Sequence, residues 1–99
     1  MLIIAGSFEV APERRDEFIA GREDGMRRSQ AEPGCIEYVF TADPLVPGRV
    51  HLFERWESKE HLATHLAGLQ SAPSPADGVP VLSVEVLQYE ISAVGPVGS

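Results

Sequence analysis

One residue of this sequence combines a side chain suited to proton transfer with an apolar setting. It belongs to a set of positions spaced i, i+3, i+4 and i+7, namely Leu62, His65, Leu66 and Leu69. That spacing predicts a helix with the imidazole of His65 on its apolar face. An imidazole in that position either bonds to protein groups in the core or faces a cavity, where it can act as a general base near neutral pH. We predict that His65 is a catalytic base, and a structural core histidine is the alternative.

Two further side chains could assist such a base. Arg22 interrupts the apolar positions of an earlier predicted helix, where its guanidinium would stabilise an enolate or phenolate. The alternative for Arg22 is a buried ion pair with Glu54 or Glu90, or an aliphatic stem that lies along the surface. Trp56 ends a predicted strand, and its ring would stack on a flat ligand or, alternatively, pack in the core.

The next predicted ligand contacts are Phe18 and Met26 on the first helix and Tyr38 on the second strand. Packing in the core or at a subunit interface is the alternative for the aromatic residues. His61 lies four residues before His65, a spacing that permits a shared metal ion on one helix face. The intervening Leu-Ala-Thr lacks the glutamate of the metalloprotease motif, and the sequence has no Cys-His cluster. We therefore predict neither a metal nor another cofactor.

Six predicted elements must position these residues. Apolar, β-branched runs and helical spacing predict four strands and two helices, with strands at 2–10, 35–42, 49–57 and 81–91 and helices at 12–32 and 59–69. Pro12 suits a first helical turn, Pro33 and Gly34 end that helix, and Ser58 is a candidate N-cap for the next one. The order βαββαβ predicts an antiparallel sheet in a ferredoxin-like α+β fold.

Glycine and proline indicate where the chain bends or leaves space. Gly21 and Gly25 weaken the first helix, and their spacing indicates a close backbone approach or a space left open. Segment 70–80 is rich in Pro, Ser and Ala, so we predict a mobile loop near the mouth of a pocket. Segment 92–99 is predicted to be a weakly structured tail of a single domain that spans residues 1–99.

Apolar residues occur on both faces of the predicted strands. In the second strand, Ile36, Tyr38 and Phe40 alternate with Cys35 and Val39. Helices on one side of the sheet would leave the other apolar face without a cover. We therefore predict a homodimer in which two sheets pack together as a dimeric α+β barrel.

Charge and composition exclude several classes of partner. The net charge of −7 argues against nucleic acid and anionic membranes, both of which require clustered Lys and Arg. No apolar run is long enough to span a bilayer. Cys35 is the only cysteine, so no disulfide can form within the chain, and a cytoplasmic location is expected.

Three segments resemble the antibiotic biosynthesis monooxygenase family. They are Glu-Pro-Gly-Cys at 32–35, Phe-Glu-Arg-Trp-Glu-Ser-Lys-Glu-His-Leu at 53–62, and His65-Leu66. The resemblance implies a ferredoxin-like dimer with a pocket between helices and sheet. It also implies kinship with oxygenases that convert anthrones or hydroquinones to quinones without metal or flavin.

A separate branch of that family degrades haem with an Asn, a Trp and a His. This sequence has Ser7 at the position of the Asn and His65 at that of the Trp, and it has no His in 70–80. The resemblance therefore does not extend to haem degradation. Ser7 is retained as a predicted ligand contact.

These observations predict a cofactor-independent monooxygenase that oxidises a flat aromatic, such as an anthrone or quinol, to a quinone with O₂. His65 would form a carbanion or phenolate that reduces O₂ directly, and Arg22 would stabilise the anion. A non-oxidative isomerase or cyclase on the same scaffold is one alternative. A non-catalytic dimeric protein with a binding or stress-response role is the other.

Overall fold

The computed structural model describes residues 1–75 and 77–99. Along the chain, the elements are β1 (Leu2–Glu9), a short 3-10 helix (Pro12–Arg14), α1 (Arg15–Ala20), α2 (Glu23–Gln30), β2 (Cys35–Ala42), β3 (Arg49–Trp56), α3 (Lys59–Leu69) and β4 (Ser83–Glu90). The strands form one open antiparallel sheet in the order β2-β3-β1-β4. This is the predicted ferredoxin-like α+β fold.

The single helix predicted over 12–32 is wrong, because the chain forms a 3-10 turn and two short helices there. The break falls at Gly21 and Arg22, whose backbone leaves the helical path with Arg22 at φ −103° and ψ 0°. Gly21 weakens the helix and also admits another chain segment, since a Cβ there would lie 2.1 Å from Asp77 Oδ2. Both short helices nevertheless keep a side that faces the core, because Phe18 on α1 and Ser29 on α2 are buried.

All three helices cover one face of the sheet. The alternation along β3 shows this face clearly, since Val50, Leu52, Glu54 and Trp56 are buried and the residues between them are partly exposed. Phe18 of α1 packs in one core cluster with Val50. Residues of α3 and β2 pack in a second cluster around Leu2, Tyr38, Leu52, Trp56 and Leu62.

Helix α3 begins at the predicted N-cap, since the Ser58 side chain accepts a hydrogen bond from the backbone N–H of His61. Only the first half of its predicted apolar face is buried. Leu62 and His65 are buried, but Leu66 and Leu69 are about half exposed. The burial expected from their spacing is therefore wrong for the last turn of α3.

A turn at Gly34 joins α2 to β2 and contacts the start of α3. Gly34 has a φ of 80°, and a Cβ there would lie 2.1 Å from the ring of His61. Only glycine fits this turn without strain or steric overlap. Its carbonyl accepts a hydrogen bond from the N–H of Glu57, which connects the turn to the end of β3.

The opposite face of the sheet carries no helix of this chain. A row of apolar residues crosses it from strand to strand in the order Val39, Phe53, Ala5 and Leu87, and we call this set the apolar row. Leu87 is 56% exposed and Val39 is 37% exposed. The helix-free apolar face predicted from the strand pattern is therefore present.

No helix within residues 1–75 and 77–99 has the length and apolar character needed to cross a membrane.

Candidate functional site

Two adjoining cavities form a cleft between α2 and the segment that follows α3. The larger has a volume of about 560 Å³ and the smaller about 310 Å³. Residues that border both cavities come from α2, β2, α3 and the loop, namely Gly25, Arg28, Tyr38, Leu69, Ala72 and Pro73. The loop predicted at 70–80 therefore does border the pocket, as expected; within it, Ala76 lies outside the described residues.

The two glycines of the first helical region have different surroundings. A Cβ on Gly25 would find Arg28 Nη2 at 3.8 Å as its nearest neighbour, so Gly25 leaves open space at the wall of the cleft. At Gly21 the Asp77 side chain fills the equivalent space. The predicted open space is thus found at Gly25, whereas the group that approaches Gly21 is a side chain and not the backbone predicted as the other alternative.

His65 lies at the inner end of the smaller cavity between two carboxylates. Its Nδ1 lies 3.0 Å from Glu32 Oε1, and its Nε2 lies 4.0 Å from Glu54 Oε1. The side chain is only 1% exposed, and Nε2 has no hydrogen-bond partner among the described residues. A buried ring nitrogen without a partner costs about 1–3 kcal/mol, which a purely structural histidine would avoid.

Trp56 lies behind His65 and does not border the cleft. It is fully buried, its ring centroid lies 4.6 Å from that of His65, and its Nε1–H donates to Glu54 Oε1 at 2.9 Å. Burial raises the pKa of Glu54, although the Trp56 hydrogen bond and the His65 charge lower it in part. Trp56 therefore contacts His65 and Glu54 and does not line the cleft. Its stacking on a ligand stays a prediction, and this position does not favour it.

Tyr38 forms part of the cleft wall next to His65. Its ring meets the imidazole edge-on at a centroid distance of 5.4 Å, and Phe40 adjoins it along β2. Burial, together with the negative charge of Glu54, raises the pKa of Tyr38 to about 12. Its phenol is therefore neutral at physiological pH and can donate a hydrogen bond, but it cannot serve as a base there.

Arg22 borders the larger cavity, but its guanidinium is already bonded within the protein. Nη1 donates to Asp77 Oδ2 at 2.8 Å and to the carbonyl of Phe18 at 2.9 Å. The guanidinium carbon also lies 3.4 Å from the centroid of the Phe18 ring. The alternative prediction of an ion pair between Arg22 and Glu54 or Glu90 is wrong, because Asp77 packs against Gly21 and pairs with Arg22 instead.

The other predicted ligand contacts are not brought together at the cleft. Phe18 is fully buried in the core, and Met26 packs beneath the cleft, where its sulfur accepts the backbone N–H of Phe40. Ser7 pairs with His51 and lies on the helix-free face, on the other side of the sheet from the cleft. Of the predicted ligand-binding residues, Tyr38 is the one that borders both cavities.

Sequence reasoning missed Glu32 and Arg28, which both border the smaller cavity. Glu32 follows the end of α2 and meets His65 from 33 residues away, so no local spacing could have indicated the contact. Glu54 had a detectable signal, since it takes an inward position between Leu52 and Trp56 on a strand of otherwise apolar inward residues.

The two remaining histidines lie outside the cleft. His51 Nε2 contacts Asp43 Oδ2 at 2.7 Å at the β2–β3 turn, and His61 Nδ1 contacts Ser58 Oγ at 2.7 Å. Within residues 1–75 and 77–99, no three His, Cys, Asp or Glu side chains are grouped so that they could hold a metal ion.

The fold and the cleft define a ferredoxin-like α+β domain with an aromatic-lined cavity between its helices and its sheet. The model of the family described as antibiotic biosynthesis monooxygenase matches residues 1–71, which is well over half of the chain. The chain therefore belongs to the antibiotic biosynthesis monooxygenase family. The matched range includes Glu32 and His65, whereas most of the loop at the cleft and β4 follow it.

One curated relative is similar to part of this chain. A protein of Synechocystis sp. strain PCC 6803, described as uncharacterized, is 34% identical over 64 residues, or 65% of this chain. The alignment covers 44% of the relative, so the chain spans less than half of its length.

Three solved structures have the same fold. A candidate antibiotic biosynthesis monooxygenase from Deinococcus radiodurans has a TM-score of 0.84 at 22% identity, with both chains covered completely. Candidates of the same description from Nitrosomonas europaea and Chloroflexus aurantiacus have TM-scores of 0.75 and 0.73. Their identities are 18% and 24%, over 94% and 98% of this chain and 100% and 98% of theirs. At these identities the similarity establishes the fold alone.

Proposed function

We propose that this protein is a monooxygenase that oxidises a flat, readily deprotonated aromatic molecule with O₂, without metal or flavin. An anthrone is the model substrate, because its methylene group becomes a carbonyl with one oxygen atom of O₂ while the other leaves as water. Membership of the antibiotic biosynthesis monooxygenase family supports an oxygenase. The cleft over Tyr38, with a carboxylate–imidazole pair at its inner end, is the observation that carries the proposal.

The lining of the cleft suits a flat aromatic ligand. Tyr38 and Phe40 provide aromatic faces, and Leu69, Ala72 and Pro73 provide apolar surface. A volume of about 560 Å³ lies within the ordinary range for sites that bind small molecules. Arg28 borders both cavities and has no ion-pair partner among the described residues, so its charge is available to an anion.

The chemistry required of the protein is removal of one proton and stabilisation of the anion that results. The anion is then electron-rich enough to pass an electron to O₂, and the protein excludes water from the reacting atoms. Arg22 is proposed to add positive potential from the wall of the larger cavity while it remains paired with Asp77. One cysteine in the chain is consistent with a cytoplasmic site of action.

An oxygen electrode tests the proposal with a hydroxyanthrone as the probe. The purified protein should consume one O₂ per anthraquinone formed, at a rate proportional to protein concentration. Turnover of the probe without O₂ uptake would favour the isomerase or cyclase alternative. Binding without any turnover would favour the non-catalytic alternative.

We also propose that the protein is a homodimer joined through its helix-free sheet faces. The apolar row places Val39, Phe53 and Leu87 on a surface that no helix covers. A second copy is the matching occupant, because a two-fold axis through the sheet would place the row of one copy against the row of the other. Such an arrangement would form the predicted dimeric barrel.

Light scattering tests the dimer directly. The native chain should give twice the 10.7 kDa mass of one chain at micromolar concentration. Phe53→Glu should give the mass of one chain, because it places a charge in the middle of the apolar row. Thr64→Glu, at an exposed position of α3 on the other side of the sheet, is the matched control and should leave the dimer intact. A native monomer would refute the proposal.

A further inference from the structure

We propose that Glu32 is the group that removes the proton from the substrate, and that His65 is a positioning residue that acts through it. This inference rests on the proposed function, since it assigns the base within the same cleft. The sequence analysis predicted that His65 itself takes the proton from the substrate, so this assignment reverses the roles of the two residues.

Exposure separates the two members of the pair. The His65 side chain is 1% exposed, whereas the Glu32 side chain is 31% exposed, and both border the smaller cavity. The unpartnered Nε2 of His65 has essentially no contact with solvent and points towards Glu54, away from Glu32. Glu32 can therefore offer a carboxylate oxygen to a ligand in the cleft, whereas the two ring nitrogens of His65 face Glu32 and Glu54.

The hydrogen bond between the pair fixes how each group is used. An ionised carboxylate only accepts hydrogen bonds, so the proton in the 3.0 Å contact belongs to His65 Nδ1. The Nδ1–H holds Glu32 Oε1 in place, which leaves Oε2 to accept the substrate proton. The order is the reverse of the common one, in which a carboxylate orients an imidazole base, because here the imidazole orients the carboxylate.

The other polar groups at the cleft are poor bases. Tyr38 is neutral because its pKa is about 12. The Asp24 side chain is 87% exposed and paired with Arg27, so it has no connection to the interior. Ser29 is a buried hydroxyl, and Arg28 carries a positive charge. Glu32 remains as the carboxylate that both borders the cleft and bonds to a buried group.

Two further titratable groups face the pair from the sheet. Glu54 lies on the far side of His65, and burial raises its pKa, which favours its neutral form. Burial, followed by the charges of Glu32 and Glu54, raises the pKa of the Cys35 thiol. Neither group borders the cleft, so neither can take a proton from a ligand there.

The proton transfer breaks one bond in the substrate and forms one bond at Glu32. The substrate C–H or O–H bond breaks and leaves its electron pair on the substrate as a carbanion or phenolate. The proton forms an O–H bond at Glu32 Oε2, which makes the carboxyl neutral. Arg28 faces the anion, and the partly exposed edge of Glu32 returns the proton to solvent.

The test measures proton transfer without oxygen. A hydroxyanthrone in D₂O under anaerobic conditions should exchange its methylene hydrogens faster with the protein than with buffer, as followed by proton NMR. Glu32→Gln should slow this exchange at least 100-fold and remove the acid limb of the pH–rate profile, because a general base typically contributes 10²–10⁴-fold. Glu60→Gln, an exposed position on α3 remote from the cleft, is the matched control and should exchange at the native rate.

His65→Gln distinguishes positioning from catalysis. It should slow exchange about tenfold and keep the acid limb, because the Glu32 carboxylate is still present but has lost the donor that holds it in place. Loss of the limb in His65→Gln, with the limb kept in Glu32→Gln, would overturn the assignment and restore His65 as the base. The absence of exchange with the native protein would overturn it as well.

Two further measurements separate the oxygenase proposal from the assignment of Glu32 as the base. Exchange that is lost in Glu32→Gln but occurs in the native protein without O₂ consumption in the aerobic assay would refute the oxygenase proposal while supporting Glu32 as the base. If Glu32→Gln does not fold, Glu32→Asp replaces it, since aspartate keeps the carboxylate but moves it away from His65. Glu32→Asp should retain the acid limb with exchange at least tenfold slower, and a native rate in this variant would overturn the assignment.

Discussion

Replacing Gly25 by alanine should stabilise the protein, although glycine at the wall of a cleft often suggests a functional need for a small residue. Gly25 lies within α2 at an ordinary helical conformation, and a Cβ there would have Arg28 Nη2 at 3.8 Å as its nearest neighbour. That distance is a normal van der Waals contact. The substitution therefore causes no overlap and removes conformational freedom from the unfolded chain.

The expected gain is about 0.5–1 kcal/mol, which is the usual cost of glycine relative to alanine in a helix. For a domain of this size, a change of 1 kcal/mol shifts the midpoint of thermal unfolding by about 4–8 °C. Gly25→Ala should therefore raise the midpoint by about 2–8 °C, as measured by circular dichroism. Gly25→Leu should keep the fold but weaken binding of a hydroxyanthrone, because the longer side chain enters the cleft.

Gly21→Ala is the matched control, since it makes the same chemical change four residues earlier. Its Cβ would lie 2.1 Å from Asp77 Oδ2, so Asp77 must move and its 2.8 Å ion pair with Arg22 must break. Loss of a hydrogen bond to a charged group costs about 1.5–3 kcal/mol, which exceeds the helix gain. A lower midpoint for Gly25→Ala, or equal effects of the two variants, would refute this account of the two glycines.

Three further predictions concern the charged and aromatic groups. Tyr38 should ionise near pH 12 in an ultraviolet titration, and this transition should be absent in Tyr38→Phe. Because the pKa of Tyr38 in the folded protein is raised above the unfolded value of about 10, the stability of the protein should fall between pH 10 and 12. The hydrogen bond with His51, together with those from the N–H groups of Leu45 and Val46, lowers the pKa of Asp43 to about 2. The stabilising effect of the ionised Asp43 should therefore be lost as pH falls from about 4 to 2. Asp43→Asn should lack that part of the acid transition in circular dichroism. Trp56→Phe should destabilise the protein by about 1–3 kcal/mol in urea unfolding, since Glu54 loses its buried donor, and a loss below about 0.5 kcal/mol would contradict this role.

The elements were predictable because each has a local signal. Pro12, Ser58 and the alternation of β3 mark element boundaries and faces within a few residues of sequence. The break at Gly21 was not predictable, because it depends on Asp77, which arrives from a loop 56 positions later. Propensity alone indicates a weak helix there but does not decide whether it breaks.

The candidate site was predictable in His65, Tyr38 and Arg22, but not in the carboxylate that contacts His65. His65 stands out as a polar residue in an apolar helical pattern, and the structure does bury it beside a cavity. Its partner Glu32 carries no such signal, because the contact joins two segments that are far apart in sequence. The exposure difference between them, on which the roles depend, is a property of packing and cannot be read from spacing.

The turn at Gly34 has a consequence for how the site could change during evolution. The turn rests against His61, and it lies two residues after Glu32, while His61 lies one helical turn before His65. Any side chain at position 34 would push the start of α3 away from the end of α2 and widen the 3.0 Å contact between Glu32 and His65. The sheet, which makes no use of that contact, would remain assembled. A lineage that lost this glycine would thus keep the architecture and lose the acid–base pair, so a single substitution could turn an enzyme of this design into a binding protein.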